Sequence, residues 1–176
     1  MSTSASAPLD LRERVAIARL HALLELLPAA LDRHLAPAGI TSFEYTLLDT
    51  LESDPTHRLR LSALAGRTNA TLPRLSRVVT SLERRGLVER SACPEDGRAT
   101  NAMLTPLGVK LVTETRGRYA TAARTLILDG LATLPGDGVS QLTDVSFAIL
   151  GALDPDRRCA VSQDAPAPQC PADPTA

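Results

Sequence analysis

Residues 71–90 read TLPRLSRVVTSLERRGLVER, and this stretch decides the fold. Thr71 can cap a helix, and Pro73 is tolerated in the first turn of that helix. Gly86 would end the helix, and residues 87–91 then read as a strand. The stretch therefore predicts an amphipathic helix that leads directly into a strand. The side chains that would face inward recur at helical spacing: Leu75, Val78, Val79 and Leu82.

The segments around this stretch complete a familiar order of elements. A turn at residues 94–97 precedes a returning strand at residues 99–104, which predicts a β-hairpin. Upstream, residues 57–61 alternate apolar and basic side chains like a short strand, and Ser62 can cap a short helix after it. Another helix begins at the capping-box residue Thr41. Short helices followed by a β-hairpin are typical of a winged helix-turn-helix.

Longer helices are predicted at both ends of the chain. Asp10 opens the first as a capping-box residue, and Pro28 should kink that helix because proline removes a backbone donor. Thr105-Pro106 is a strong helix start, with a cap followed by proline at the first helical position. A last helix follows the breaker at residues 135–138. These helices are apolar enough to suggest a subunit interface.

We therefore predict a mostly α fold with a small β-hairpin wing. Residues 1–8 read as a flexible arm, and residues 38–105 as a winged helix-turn-helix DNA-binding domain. Residues 9–37 and 106–153 would form a helical dimerisation region. Residues 154–176 are rich in proline and poor in apolar side chains, which predicts a disordered tail. The low aromatic content, 2%, argues against platforms on which single-stranded bases stack.

Charge is distributed unevenly along the chain, although the net charge is only -1. The segment from Arg58 to Arg98 holds nine arginines and four acidic residues, a local charge of +5. The remainder of the chain carries -6. A cationic centre between acidic ends indicates a local anionic partner.

Several classes of protein are disfavoured by the sequence. The histidines are dispersed, and neither a metal-ligand spacing nor a glycine-rich phosphate loop occurs, so we predict no enzyme, no cofactor and no metal site. No apolar run approaches the roughly 20 residues that span a bilayer. The N-terminus lacks the features of a secretory signal, and three cysteines form no disulfide framework. We therefore expect a cytoplasmic protein without a membrane partner.

The predicted helix and hairpin supply the candidate contacts to DNA. The N-terminal side chains of a recognition helix reach base edges in the major groove. Arg98 at the hairpin tip could enter a narrow minor groove, with Asp96 orienting its guanidinium. The candidates on the helix are Thr71, Pro73, Arg74, Ser76 and Arg77.

Four motifs in order give the chain a resemblance to the MarR (multiple antibiotic resistance regulator) family. Each motif alone is weak, but their order and spacing match, and the flanking helices extend the resemblance to about residues 10–152. Two features depart from the family pattern: Gly66 inside a short helix, and the proline-rich tail. The motifs are LSALA at residues 61–65, LERRGLVER at 82–90, DGR at 96–98 and LTPLG at 104–108.

The resemblance implies a regulator of transcription. It implies a homodimer, held together by its terminal helices, that binds a pseudo-palindromic operator of double-stranded DNA. It also implies repression that a small-molecule effector relieves. By position, the helix residues would face the major groove, Arg98 would enter the minor groove, and Ser62 and Arg84 would meet phosphates.

Two alternatives remain open at this point. Cys93 lies at the base of the hairpin near Arg90, which could favour a thiolate and make the regulator a redox sensor. A winged helix can also serve as a protein-interaction module without binding DNA.

An effector pocket is predicted between the dimerisation helices and the DNA-binding domain. Its lining would come from the first, second and fifth helices. The candidate polar contacts are Arg19, His21, Tyr45 and Arg116.

Overall fold

A computed structural model describes residues 7–93 and 96–153, without the side chains of residues 93 and 96–98. The predicted arm falls mostly before this part, and the predicted tail after it. Residues 94 and 95 of the predicted hairpin turn, the side chains of Asp96 and Arg98, and the thiol of Cys93 also lie outside the described part of the chain, whereas the backbone of residues 96 and 97 belongs to a strand and not to the turn.

The described chain is mostly helical, with one small antiparallel sheet, which confirms the predicted fold class. A 3₁₀ turn, Ala36–Ala38, follows the first helix, and a π-helical turn, Arg124–Leu128, joins the fifth to the sixth. The helices are α1 (Leu11–Leu35), α2 (Ser42–Glu52), α3 (Leu61–Arg67), α4 (Leu72–Arg84), α5 (Pro106–Ala123), α6 (Asp129–Leu131) and α7 (Gly138–Leu153). The strands are β1 (Arg58–Arg60), β2 (Val88–Cys93) and β3 (Asp96–Leu104).

Capping boxes begin α1 and α2 where the sequence predicts them. The backbone N–H of Glu13 donates to Asp10 at 2.9 Å, and the Glu13 carboxylate accepts from the Asp10 N–H at 2.7 Å. Thr41 and Glu44 form the same reciprocal pair at 3.1 and 2.9 Å. Each capping box satisfies two backbone donors that the helix itself leaves without partners. α1 then runs as one helix through Pro28.

The predicted cap at Ser62 is wrong. α3 begins at Leu61, its N-cap is Arg60, and Ser62 therefore lies within its first turn. The reason is the sheet: Arg60 is paired with Asn101 of β3, so the extended backbone ends at that residue and the helix starts immediately after it. Pairing with a strand so distant in sequence overrides the local preference of serine for a cap.

The sheet has the order β1-β3-β2, so β3 lies between the other two strands. Leu59 of β1 and Arg90 of β2 both pair with Ala102. A change of register between Ala92 and Cys93 interrupts the pairing of β2 with β3 near the tip. The hairpin formed by β2 and β3 is the predicted wing, and β1 anchors it to the helices.

Thr105 and Gly108 join the wing to α5. The Thr105 hydroxyl donates to the carbonyl of Gly86 at 2.7 Å and accepts from the N–H of Gly108 at 3.0 Å. A Cβ added at Gly108 would collide with the carbonyl oxygen of Leu87, so only glycine allows this approach of helix to strand. Gly86 itself has a φ of +70°, the left-handed conformation that ends α4. Three of the five positions in the LTPLG motif are thus buried and pack the fold, and the other two are exposed.

One hydrophobic core lies beneath α2, α3, α4 and the sheet. Its side chains come from every element between α1 and α5, which makes the winged-helix region a unit with its own interior. The fully buried large residues of this core are Leu35, Leu47, Leu48, Leu51, Leu64, Leu75, Val79, Leu82, Val88 and Val112.

The terminal helices differ from this core. α1 and α7 carry many large apolar side chains that the single chain leaves exposed. Within the described residues, no helix is long and apolar enough to cross a membrane. The exposed members include Leu11, Leu23, Leu24 and Leu26 on α1, and Val145, Phe147, Ile149 and Leu153 on α7.

Candidate nucleic-acid interface

α4 combines a buried apolar face with an exposed polar one. Leu75, Val79 and Leu82 are fully buried in the core. These residues recur at helical spacing, and Val78 beside them also packs against the core, so the opposite side of the helix is turned away from it. Most of the predicted DNA contacts are on that outer face: Thr71, Pro73, Arg74, Arg77 and Arg84 are all exposed.

Thr71 occupies the N-cap position of α4, as predicted, but its side chain accepts no capping hydrogen bond. Its hydroxyl is therefore not used by the helix. Ser62 on α3 is likewise exposed, and among the described residues its hydroxyl forms no hydrogen bond. Both hydroxyls are left for an external partner.

Arg77 and Arg84 lie along the exposed side of α4. The Nε of Arg77 donates to the carbonyl of Pro73 at 3.4 Å, and the Nε of Arg84 donates to the carbonyl of Thr80 at 3.4 Å. These contacts are long and weak for N–H···O bonds, and each uses one of five guanidinium donors. Among the described residues neither arginine has an acidic partner, so both charges face solvent.

Arg74 is held differently from the other arginines of α4. Its guanidinium lies over the ring of Phe43, with the central carbon 4.3 Å from the ring centroid. Phe43 comes from the first turn of α2 and packs against the core. This contact was missed in the sequence, because it joins two helices that are distant along the chain.

Arg90 links the wing to α4. Its Nη2 donates to the carbonyl of Ser76 at 2.7 Å and to the Ser76 hydroxyl at 3.3 Å. Its Nη1 lies 3.6 Å from the carboxylate of Glu83. Ser76 is consequently half-buried against β2, unlike its exposed neighbours Arg74 and Arg77. From the sequence, Ser76 was predicted to contact DNA, and Arg90 was singled out only as a neighbour of Cys93. No local sequence pattern predicts the hydrogen bonds between Arg90 and Ser76.

The predicted contact between Asp96 and Arg98 lies outside the described side chains. The backbone shows that both residues belong to β3, at the end of the wing. The minor-groove role of Arg98 therefore stays a prediction, as does the redox role of Cys93.

A polar cluster lies between α2 and α5. The rings of Tyr45 and Tyr119 stack with their centroids 4.3 Å apart. The Tyr45 hydroxyl donates to Asp49 at 3.3 Å. Arg116 contacts the carboxylates of Glu52 at 2.7 Å and Asp49 at 3.5 Å. The cluster brings together two of the four predicted effector contacts, Tyr45 and Arg116.

Burial controls the ionisation of this cluster. It raises the pKa of Tyr45 to about 12, and the nearby Asp49 carboxylate adds to the effect. The pKa of Tyr119 is raised for the same two reasons. The hydrogen bond to Glu52 raises the pKa of Arg116, so its charge is permanent. Both phenols remain protonated near neutral pH and can donate hydrogen bonds.

The other two predicted effector contacts, Arg19 and His21, are exposed on α1. Among the residues that the structure describes, neither forms a hydrogen bond or an ion pair with Tyr45 or Arg116. A single chain thus brings together two of the four predicted effector contacts, and the effector pocket itself stays a prediction.

Comparisons with known proteins agree with this geometry. A model of the MarR family matches residues 40–100. The chain is 30% identical to Sco3205, a MarR family transcriptional regulator from Streptomyces coelicolor solved in complex with DNA, with a TM-score of 0.80 and coverage of 88% of this chain and 95% of that one. AbsC, a MarR family transcriptional regulator from the same organism, is 27% identical, with a TM-score of 0.76 and coverage of 84% and 98%. MosR, a transcriptional regulator from M. tuberculosis solved with DNA, is 25% identical, with a TM-score of 0.61 and coverage of 78% and 94%.

Proposed function

The chain belongs to the MarR family of winged-helix transcriptional regulators, and we propose that it represses transcription by binding a specific operator as a homodimer. The observation that carries the proposal is α4, which buries Leu75, Val79 and Leu82 and exposes Arg74, Arg77 and neighbouring polar residues. Such a helix can pack on its own core and enter the major groove with its other face. The structure of Sco3205 with DNA supports this use of the fold.

The roles of the exposed residues follow from their chemistry. Arg74 and Arg77 carry donors that can pair with guanine in the major groove, while Thr71 and Pro73 contact bases or sugars beside them. Other residues meet the backbone: Ser62 and Arg84 bind phosphates, which fixes the register of the protein on the duplex. Arg98, oriented by Asp96, enters the adjacent minor groove.

Homodimerisation is supported by the exposed apolar faces of α1 and α7. Side chains such as Leu26 (69% exposed) and Phe147 (53% exposed) are costly to leave in water. A second copy of the chain would cover them with the same faces, as two-fold symmetry requires. The two copies of α4 would then read the two halves of a pseudo-palindromic operator about 34 Å apart.

An effector site is supported by the cluster between α2 and α5. The Tyr45 phenol donates a hydrogen bond to Asp49, the protonated phenol of Tyr119 can donate one, and the guanidinium of Arg116 is about half exposed. A small molecule with an acidic or hydrogen-bonding group could compete there for the ion pairs of Arg116. Arg19 and His21 would join this site if dimerisation brings α1 over it.

The test is a binding titration of the purified protein into fluorescently labelled DNA from the intergenic region beside its own gene. Scrambled DNA serves as competitor, at two salt concentrations. We expect tight binding that survives the competitor and weakens with salt, because phosphate contacts release counterions. Equal, weak binding to both DNAs would contradict operator recognition in that region and favour a protein partner. Screening compounds in the same assay tests the effector.

A further inference from the structure

The contact between Phe43 and Arg74 has a specific geometry. The guanidinium of Arg74 lies 4.3 Å from the centroid of the Phe43 ring. Among the described residues Arg74 forms neither a hydrogen bond nor an ion pair with another side chain. The ring is therefore the group that holds this side chain in place.

The contact with Phe43 leaves the hydrogen-bonding capacity of Arg74 intact. A guanidinium is planar, and its five N–H donors lie in the plane. The Phe43 ring has no conventional hydrogen-bond acceptor, and among the described residues Arg74 donates to no other group, so its donors stay free. Those are the donors that pair with the O6 and N7 atoms of guanine. Phe43 can thus restrain Arg74 without competing with a base.

Phe43 itself is firmly positioned. The next residue before it, Ser42, donates both its backbone N–H and its hydroxyl to Asp32 of α1, each at 2.6 Å. The next residue after it, Glu44, pairs with Arg85 at 3.0 Å at the end of α4. Because the residues on both sides of Phe43 are held by contacts with α1 and α4, the Phe43 ring provides a fixed surface.

We propose that Phe43 positions Arg74 for its contact with a base, and so contributes to operator specificity without touching DNA. The inference rests on the proposed function and names a residue that the sequence did not connect with recognition. A free arginine loses much rotamer freedom when it binds, and holding it in place beforehand reduces that loss. Arg77 lies one turn further along α4 and has no such ring, so it provides an internal control.

The test is a double-mutant cycle on the operator fragment found by the titration, with scrambled DNA of equal composition as reference. Phe43→Leu should weaken specific binding by roughly three- to fivefold, the range of an exposed cation–π contact. In an Arg74→Ala background the same change should cause no further loss. In an Arg77→Ala background, Phe43→Leu should weaken specific binding by the same factor as in the wild type. Phe43→Tyr keeps the ring and should restore affinity.

Thermal unfolding of each variant separates positioning from damage to the core. Should Phe43→Leu be unstable, Phe43→Met replaces it with a longer side chain, and the same cycle applies. If the loss from either variant is equal in the wild-type and Arg74→Ala backgrounds, Phe43 acts through stability and the inference fails. Wild-type protein that binds no DNA specifically overturns the proposed function and this inference together. If the protein binds its operator specifically but the effects of the Phe43 and Arg74 substitutions on affinity are additive, the proposed role of Phe43 is wrong and the proposed function stands.

Discussion

The winged-helix lobe (residues 38–105) and the terminal helices (α1 and α7) use the same apolar residues in opposite ways. In the lobe, Leu47, Leu48 and Leu51 of α2 are completely buried. On the terminal helices, Leu26 is 69% exposed and Leu153 is 75% exposed. The lobe surrounds a buried core, whereas the terminal helices present apolar surface that no other described residue covers.

This difference separates two sources of stability. The lobe should fold through contacts within one chain, because α1 and α5 of that chain complete its core with Leu35 and Val112. The terminal helices should gain most of their stability from association, so that dimerisation and folding are linked by mass action. Substitutions in the two regions should therefore have different effects, and the largest is expected at the dimer interface.

A charge on the apolar face of α7 should break the dimer. Phe147→Glu places a carboxylate in each copy of the proposed interface, where desolvation costs several kcal/mol per unpaired charge. We expect monomer by light scattering. Operator affinity should fall by about 100-fold or more, because the two half-sites are no longer bound as one unit.

The matched control is Ala148→Glu, which adds the same charge at the next residue of α7, an exposed position about 100° around the helix from Phe147. That variant should remain dimeric. A monodisperse dimer of Phe147→Glu would show that the interface lies elsewhere.

A leucine-to-alanine change should act differently in the two regions. Leu48→Ala leaves a cavity in the lobe and should lower the free energy of unfolding by about 2–5 kcal/mol, whatever the protein concentration. Leu26→Ala should lower it only to the extent that it weakens the dimer, and so its effect should depend on concentration. Urea denaturation at two protein concentrations measures both. Concentration-independent losses from both variants would contradict the division between the two regions.

Arg98→Ala should affect recognition without affecting assembly. Loss of a groove contact should weaken specific binding by about 1–3 kcal/mol, while the oligomeric state stays unchanged. A fluorescence titration on the operator and light scattering test the two parts. Unchanged affinity in a folded variant would remove the wing from the recognition surface.

The smallest effect should be a loss of stability at high pH. It concerns Tyr45, which lies between α2 and α5. The pKa of Tyr45 is raised to about 12 from its ordinary value of 10, so its contribution to stability is complete below about pH 10. That contribution is lost as pH rises through about 12, because the unfolded state releases the proton first. Urea midpoints should therefore fall with pH in this range, and fall less in Tyr45→Phe.

Direct titration offers an independent check on this point. The chain has two tyrosines and no tryptophan, so the near-ultraviolet absorbance of tyrosinate reports on Tyr45 and Tyr119 alone. Ionisation of both phenols at ordinary pH values in the folded protein would contradict their burial.

Features that depend on near neighbours could be predicted from the sequence. The capping boxes at Asp10 and Thr41 join residues three positions apart, and the amphipathic pattern of α4 repeats within the helix. Gly86 ends α4 through its own backbone conformation. Interactions of this kind join residues that are close together in the sequence. The sequence alone was therefore enough to predict the helices, the wing and the exposed arginines of α4.

The contacts that hold these elements against one another became visible only in the tertiary structure. The bridge from Arg90 to Ser76 spans 14 residues, and that from Arg116 to Glu52 spans 64. The start of α3 was wrongly assigned to Ser62 because β1 pairs with a strand from much later in the chain. The contact between Arg74 and Phe43 joins two helices in the same way. Each depends on packing that brings distant residues together, and no local pattern in the sequence records that packing.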